Sequence, residues 1–240
     1  MTASAGGALL AIESSTGTAS VAIGRGGEAI AEIALTRRGG HSAALPPAID
    51  YALRAAGLRR DDIEGVVIGG GPGSFTGLRI AGATGKAIAR ALDVPLLAYS
   101  GLLAAAAPLG SGGRPVCALF DARGRDVFAA CYRFGTGLRV LLPPAALAVD
   151  ALIATLDPDD SPVFTGDGAL RHRAEIAATF GDVVAPAAFA APRAAALLWL
   201  ADAFPDAGVV HDLAAWEPDY LRASGAERIA AAKAAAPART

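Results

Sequence analysis

The 240-residue sequence predicts an α/β fold of two lobes, each a mixed sheet with flanking helices. Three observations lead there. Short apolar or alternating runs of strand length open the chain, and stretches with helical spacing follow them. The same order returns after a turn-rich seam, PLGSGGRP at 108–115, which marks a lobe boundary. With 60 alanines and 29 glycines, much of the chain has little or no side chain, so helices and backbone can approach closely.

Residues 8–13 (ALLAIE), 18–24 (TASVAIG) and 28–35 (EAIAEIAL) read as three sequential strands, because STG and RGG between them are turn chemistry. From 42 to 56, Leu45, Ile49 and Leu53 repeat every four residues on an amphipathic helix, with Pro46 and Pro47 in or near its first turn. Ala44, Ala48 and Ala52 form a small-residue flank beside that row. GVVIGG (65–70) is a buried strand, and GPGSFTG leads from it into a helix running to Leu92. VPLLAY (94–99) is a further strand, followed by an alanine-rich helical run at 102–107.

In the second half VCALFD (116–121) and DVFAACYRF (126–134) flank ARGR as a hairpin, and 138–142 adds a strand. Helix-like 147–156, strand-like 162–165, GDGAL, and helix-like 171–180 and 193–204 complete the second unit. The expected domains are 1–108 and 109–240, with a late helix at about 190–205 packing back on the first lobe. The alanine-rich tail 226–240 is expected to fray.

Charge and composition exclude several classes. The 21 basic residues, of which only Lys86 and Lys233 are lysines, stand against 23 acids, so no basic field supports nucleic-acid binding by the chain alone. The hairpin register that brings Cys117 near Cys131 makes them cross-strand neighbours, expected to stay as reduced thiols. His41, His172 and His211 are isolated and show no metal-ligand spacing. The amino terminus lacks the cationic start of an export signal, and the longest uncharged stretch, 94–113, is broken by prolines and glycines. A soluble cytoplasmic protein is expected.

The glycine-rich corner Gly71, Pro72, Gly73, Ser74 and Gly77 either cradles an anion or simply makes a tight turn whose Ser74 caps the next helix. It is neither a Walker loop nor a nucleophile elbow, because Ile80 occupies the first glycine position before Lys86, and Pro72 and Thr76 flank Ser74. The helix behind it carries Gly82 and Gly85, each weakening an isolated helix by roughly 1 kcal/mol relative to alanine. Packing must offset that, either inside the chain or against a partner. The turn ESSTGT, with Glu13, Ser15 and Thr16, resembles the first phosphate loop of the actin/Hsp70/sugar-kinase superfamily; the matching second-half loop after Asp121 holds Arg123 and Arg125 instead of a glycine pair. Asp167 in TGDGA reads as a helix cap or a functional anchor.

Taken in order, LLAIESSTGTASVAI, HSAALPPAIDYAL, VVIGGGPGSFTGLRIAGATGKAIA, VPLLAYSGL, FDARGRDVFAA, TGDGA and EPDYLR resemble the TsaB family. The resemblance implies two actin-like (ribonuclease-H-like, ASKHA superfamily) lobes and a non-catalytic subunit of tRNA threonylcarbamoyladenosine synthesis. It implies dimerisation with a catalytic TsaD-like paralogue, a TsaE-like ATPase in the assembly, tRNA contacted through the complex, and a homodimer when the partner is absent. Aligned on Asp93-Val94-Pro95, Gly101 and Ala105 stand where the paralogue's two metal-binding histidines would be, so no metal is expected. No cofactor of its own is implied; ADP or ATP at the subunit junction is left open. The implied partner surface is the helix pair, through Ala44, Ala48, Ala52, Phe75, Leu78, Arg79, Gly82, Gly85 and Lys86. Vestigial or interfacial nucleotide contacts would fall to Glu13, Ser15, Thr16 and Asp121. The rivals are an actin-like ATPase or sugar kinase and, more remotely, a peptidase using Ser74.

Overall fold

A computed structural model describes residues 7–36 and 41–221. Strands β1 (Ala8–Glu13), β2 (Thr18–Arg25) and β3 (Glu28–Thr36) run antiparallel in sequence. Helix α1 (His41–Ala56) then leads to β4 (Ile63–Gly69), α2 (Phe75–Leu92) and β5 (Leu96–Tyr99). The two later strands join in parallel, giving a five-stranded sheet in the order β3-β2-β1-β4-β5. The mixed pattern follows from the connections, tight turns between antiparallel neighbours and helical crossovers between parallel ones.

After the short helix α3 (Gly101–Ala106) the scheme repeats with β6 (Val116–Asp121), β7 (Asp126–Phe134), β8 (Leu138–Ala148), α4 (Val149–Thr155) and β9 (Val163–Thr165). The second sheet has the order β8-β7-β6-β9, and a parallel bridge from Phe164 to Val184 stands where a fifth strand would be. Helices α5 (Asp167–Arg171), α6 (Arg173–Phe180) and α7 (Ala194–Ala203) follow.

Alternation divides each sheet between two cores. Along β1, Leu9 and Ala11 enter the central core, while Ala8, Leu10 and Ile12 face α1 and α2. The second sheet backs onto α4, α5 and α6 through Leu119, Val127 and Phe164. Between the sheets lie α3 and α7, exchanged: α3 packs on β6 and β7, and α7 on β1, β2 and β3. The first lobe receives α7 with polar groups. Ser20 Oγ accepts the Ala194 N–H at 2.8 Å, and Glu32 accepts the Ala195 N–H at 3.0 Å and a bidentate guanidinium bond from Arg193 at 2.9 and 3.3 Å. These bonds satisfy amides that an α-helix leaves open at its first turn.

Several expectations need correction. Pro46 and Pro47 are the sixth and seventh residues of α1, beyond its first turn; both are solvent-exposed, where freed carbonyls can meet water. The helix expected at 171–180 is two helices with a break at His172, and GDGAL belongs to the first of them. Strand β8 runs on to Ala148, so α4 starts two residues later than its apolar spacing suggested; Pro143 and Pro144 are tolerated because β8 is an edge. Cys117 and Cys131 are bonded rather than reduced: they stand directly opposite one another with Cα atoms 4.1 Å apart, so their side chains meet on one face. The tail at 226–240 lies outside the described residues.

Candidate functional site

Two places were expected to carry function, the loop after β1 and the face of the α1/α2 pair. The loop is closed. Glu13, Ser14 and Ser15 are all buried, and the glycine corner lies on them backbone to backbone. Ser14 Oγ donates to the Gly77 carbonyl at 2.8 Å, and the Ser74 N–H to the Ser15 carbonyl at 2.7 Å. A Cβ at Gly77 would strike the Ser14 carbonyl, one at Gly73 the Ser15 carbonyl, and one at Gly69 the Glu13 carboxylate. The three glycines stand four residues apart because this loop occupies the space their side chains would take.

Gly71 faces the Asp219 carbonyl, whose oxygen would lie 2.6 Å from a Cβ there, and its own carbonyl accepts the Gly101 N–H at 2.8 Å. Pro72 is buried beside it, following a cis Gly71-Pro72 peptide. Ser74 caps α2 by accepting the Gly77 N–H. The corner is therefore filled by the chain's own atoms.

The carboxylate of Glu13 accepts the Ser15 N–H at 2.5 Å through Oε1, while Oε2 meets no donor. Burial pushes this carboxyl above its ordinary value and outweighs the bonds from Ser15 and Ser14, which act the other way. Thr16 is half-buried, and its hydroxyl oxygen accepts the Thr18 N–H. Across the molecule Asp121 pairs with Arg171 at 2.7 Å and accepts the Arg123 N–H, while the Asp121 N–H donates to Asp167. Asp167 is thus an anchor between α5 and β6, its carboxyl raised by burial. Of the groups proposed for nucleotide contact, Thr16 bonds to Thr18 and Asp121 to Arg171, while Glu13 and Ser15 are buried, with Glu13 Oε2 and Ser15 Oγ meeting no partner. Among the described residues no group of three or more His, Cys, Asp or Glu side chains could hold a metal ion.

The helix pair differs from the expected docking face in which residues it offers. On α1 the buried residues are Leu45, Ala48, Ile49, Ala52 and Leu53, a single stripe of 3.6-residue period. Ala48 and Ala52 therefore share the core with the leucine row and form no separate free flank; Ala44 is half-buried. On α2 the equivalent stripe is Leu78, Ala81, Gly82, Gly85 and Ala89. A Cβ at Gly85 would lie 2.5 Å from Ile68 Cγ2, and one at Gly82 would lie 3.2 Å from the Trp216 ring. These glycines serve contacts within the chain, so Leu78, Gly82 and Gly85, like Ala48 and Ala52, are removed from the exposed surface.

Lys86 is likewise engaged, donating from Nζ to the Ala214 and Trp216 carbonyls at 3.0 and 2.9 Å. Arg79 remains exposed and lies over the ring of Phe75, 4.3 Å from its centre.

The helices leave a groove of about 600 Å³ between them, floored by Leu10 and Ile63. Its walls are Pro46, Ile49 and Leu53 from α1, and Ala83, Ala87, Ile88 and Ala91 from α2. An ion pair of Arg60 with Asp50 at 2.9 Å lies among the lining residues. Pro46, Ala83, Ala87 and Ala91 are exposed. Sequence reasoning missed them and placed the partner surface of α2 at Leu78, Gly82 and Gly85, which the fold buries; the four-residue repeat of Ala83, Ala87 and Ala91 was the signal for the exposed side. It also missed Trp216 and Tyr220, for which the aromatic in EPDYLR was the available signal.

Comparison with known proteins bears on this geometry. A family model described as "TsaD: tRNA N6-adenosine threonylcarbamoyltransferase" matches residues 30–233. The chain is 31% identical over 223 residues to the tRNA threonylcarbamoyladenosine biosynthesis protein TsaB of Bacillus subtilis, covering 91% of this chain and 96% of the relative. To the Escherichia coli protein of the same name it is 33% identical over 127 residues, 52% of this chain and 54% of that one. A Pseudomonas aeruginosa crystal structure, described as an uncharacterized protein with similarity to peptidase YEAZ, superposes with a TM-score of 0.77 at 29% identity. That match covers 90% of this chain and 100% of the other.

Proposed function

The chain belongs to the TsaB family of tRNA threonylcarbamoyladenosine biosynthesis proteins, and from that premise we propose that it is the non-catalytic subunit that docks and activates a TsaD-type threonylcarbamoyltransferase through the α1/α2 groove. One observation carries the reading: the groove is apolar, open and floored by core residues, whereas the loop after β1 is buried by the chain itself. Such an exposed concavity fits a partner helix that lays apolar side chains between two helices. The bond-making residues then belong to the partner.

The same face would pair two copies when the partner is absent. A TsaE-type ATPase would join the assembled pair, tRNA would be met by the complex, and any ADP or ATP would sit at the junction between subunits. The setting for this work is the cytoplasm; no helix among the described residues is long and apolar enough to cross a membrane. A kinase reading is disfavoured by Arg171 on Asp121 and by the burial of Glu13 and Ser15. A peptidase reading is disfavoured because the Ser74 hydroxyl serves as the cap of α2.

The test is Ala87→Arg, which places a long cation in the groove from an exposed helix position where the fold itself is little affected. Titrated against the TsaD-type subunit, it should lose about a hundredfold or more in affinity, as for a charge forced into an interface core. Asp182→Ala, on the far lobe, should bind normally. Wild-type affinity of Ala87→Arg would refute the groove as the docking site.

A further inference from the structure

Residues 217–221 of the family-like motif EPDYLR are not among those lining the groove, yet the chain leading into them crosses α2 on the helix's other side. Beyond α7, Val209 bridges Leu97 antiparallel to β5, and the Val210 N–H donates to the Leu96 carbonyl at 3.3 Å. The segment then passes over α2. Lys86 Nζ holds two of its carbonyls, and the Trp216 ring lies against Gly70 and Gly82. The Asp219 N–H donates to the Gly70 carbonyl at 2.8 Å, and the Tyr220 ring lies 5.0 Å from that of Phe75.

We propose that residues 209–221 are a strap that fixes the position of α2, with Lys86 as its latch, so that the opposite face of α2 is presented to the docking partner in one fixed position. This rests on the docking reading above. The physical argument is one of sides. The strap occupies the small-residue side of α2, where Gly82 lets an indole approach, and Ala83, Ala87 and Ala91 line the groove on another side. A helix whose buried stripe contains two glycines has little side-chain bulk with which to resist rolling on the sheet. The strap supplies the missing contacts from outside. Lys86 suits the latch because an ammonium on a flexible stem offers charge-assisted bonds to two carbonyls at once. Lys86 is therefore a positioning residue for the partner surface and touches no partner.

Two variants act on the strap independently. Lys86→Met keeps the stem and removes the donors, and Gly82→Leu wedges Trp216 off the helix from below. In each, hydrogen exchange at the Val210 and Asp219 amides should accelerate by about tenfold or more. Affinity for the TsaD-type subunit should fall by about tenfold through loss of pre-organisation. Lys86→Arg, which can still donate to the carbonyls, should recover most of both. Faster exchange with unchanged affinity, or unchanged exchange in Lys86→Met, overturns the proposal. The docking reading fails separately, if Ala87→Arg binds like wild type; the two strap variants then still report whether strap and affinity are linked. Absence of any complex with the wild-type chain overturns both.

Discussion

Gly85→Ala puts a methyl group 2.5 Å from Ile68 Cγ2, 3.5 Å from Leu96 Cδ1 and 3.6 Å from Val66 Cγ1. Carbon atoms pack best at about 3.5–4.0 Å, so two of these contacts are ordinary and the first is an overlap of about 1 Å or more. Ile68 is fully buried and β-branched, so its χ1 is restricted and its close-packed surroundings resist a shift. The strain must lift α2 from β4. Overpacking of this kind costs about 1–3 kcal/mol, and alanine's better helix propensity returns about 1 kcal/mol. With a rigid neighbour the cost lies in the upper half of that range, so the net loss is about 1–2 kcal/mol. For a chain of this length it lowers Tm by about 2–4 °C per kcal/mol. Urea unfolding followed by circular dichroism, with a parallel thermal scan, measures it. A midpoint equal to or above that of the parent would mean that α2 does not rest on β4 at Gly85, and would return this face of the helix to the accessible surface.

Two further outcomes follow from the buried polar groups. Glu13 keeps its proton in the folded chain at pH values where the unfolded chain has lost it, so stability falls as pH rises from its ordinary value of 4.5 towards the raised folded one. Glu13→Gln should flatten the fall in stability as pH rises above 4.5, and parallel curves for the two proteins would contradict the burial argument. Glu32→Ala removes the partner of Arg193 and of the Ala195 N–H from a carboxylate that is 18% exposed, and should cost about 1–2 kcal/mol in urea unfolding. An unchanged midpoint would show that Glu32 contributes nothing to seating α7.

The strands were legible because alternation and turn chemistry both spoke for them; β1, β6 and β7 match their expected limits residue for residue. Opposition of Cys117 and Cys131 followed from the hairpin register, whereas their bond depends on redox chemistry that no pattern of residues encodes. The loop after β1 reads as a phosphate-loop-like turn, and its burial is written in a different segment, in the four-residue spacing of Gly69, Gly73 and Gly77. The strap was illegible for a related reason. It has no periodicity of its own, and its seat on α2 is built from Gly82 and Lys86, more than a hundred residues earlier in the chain.

The exchanged helices have a bearing on how the molecule comes into being. The inner face of the first sheet is completed by Leu197, Leu198 and Leu200, so the amino-terminal half must wait, with apolar strands partly uncovered, until nearly the whole polypeptide has been synthesised. Cutting the chain ahead of Ala194 would leave two incomplete pieces rather than one working lobe and a dispensable one. Any search for a minimal docking fragment therefore has to keep α7 together with the first sheet.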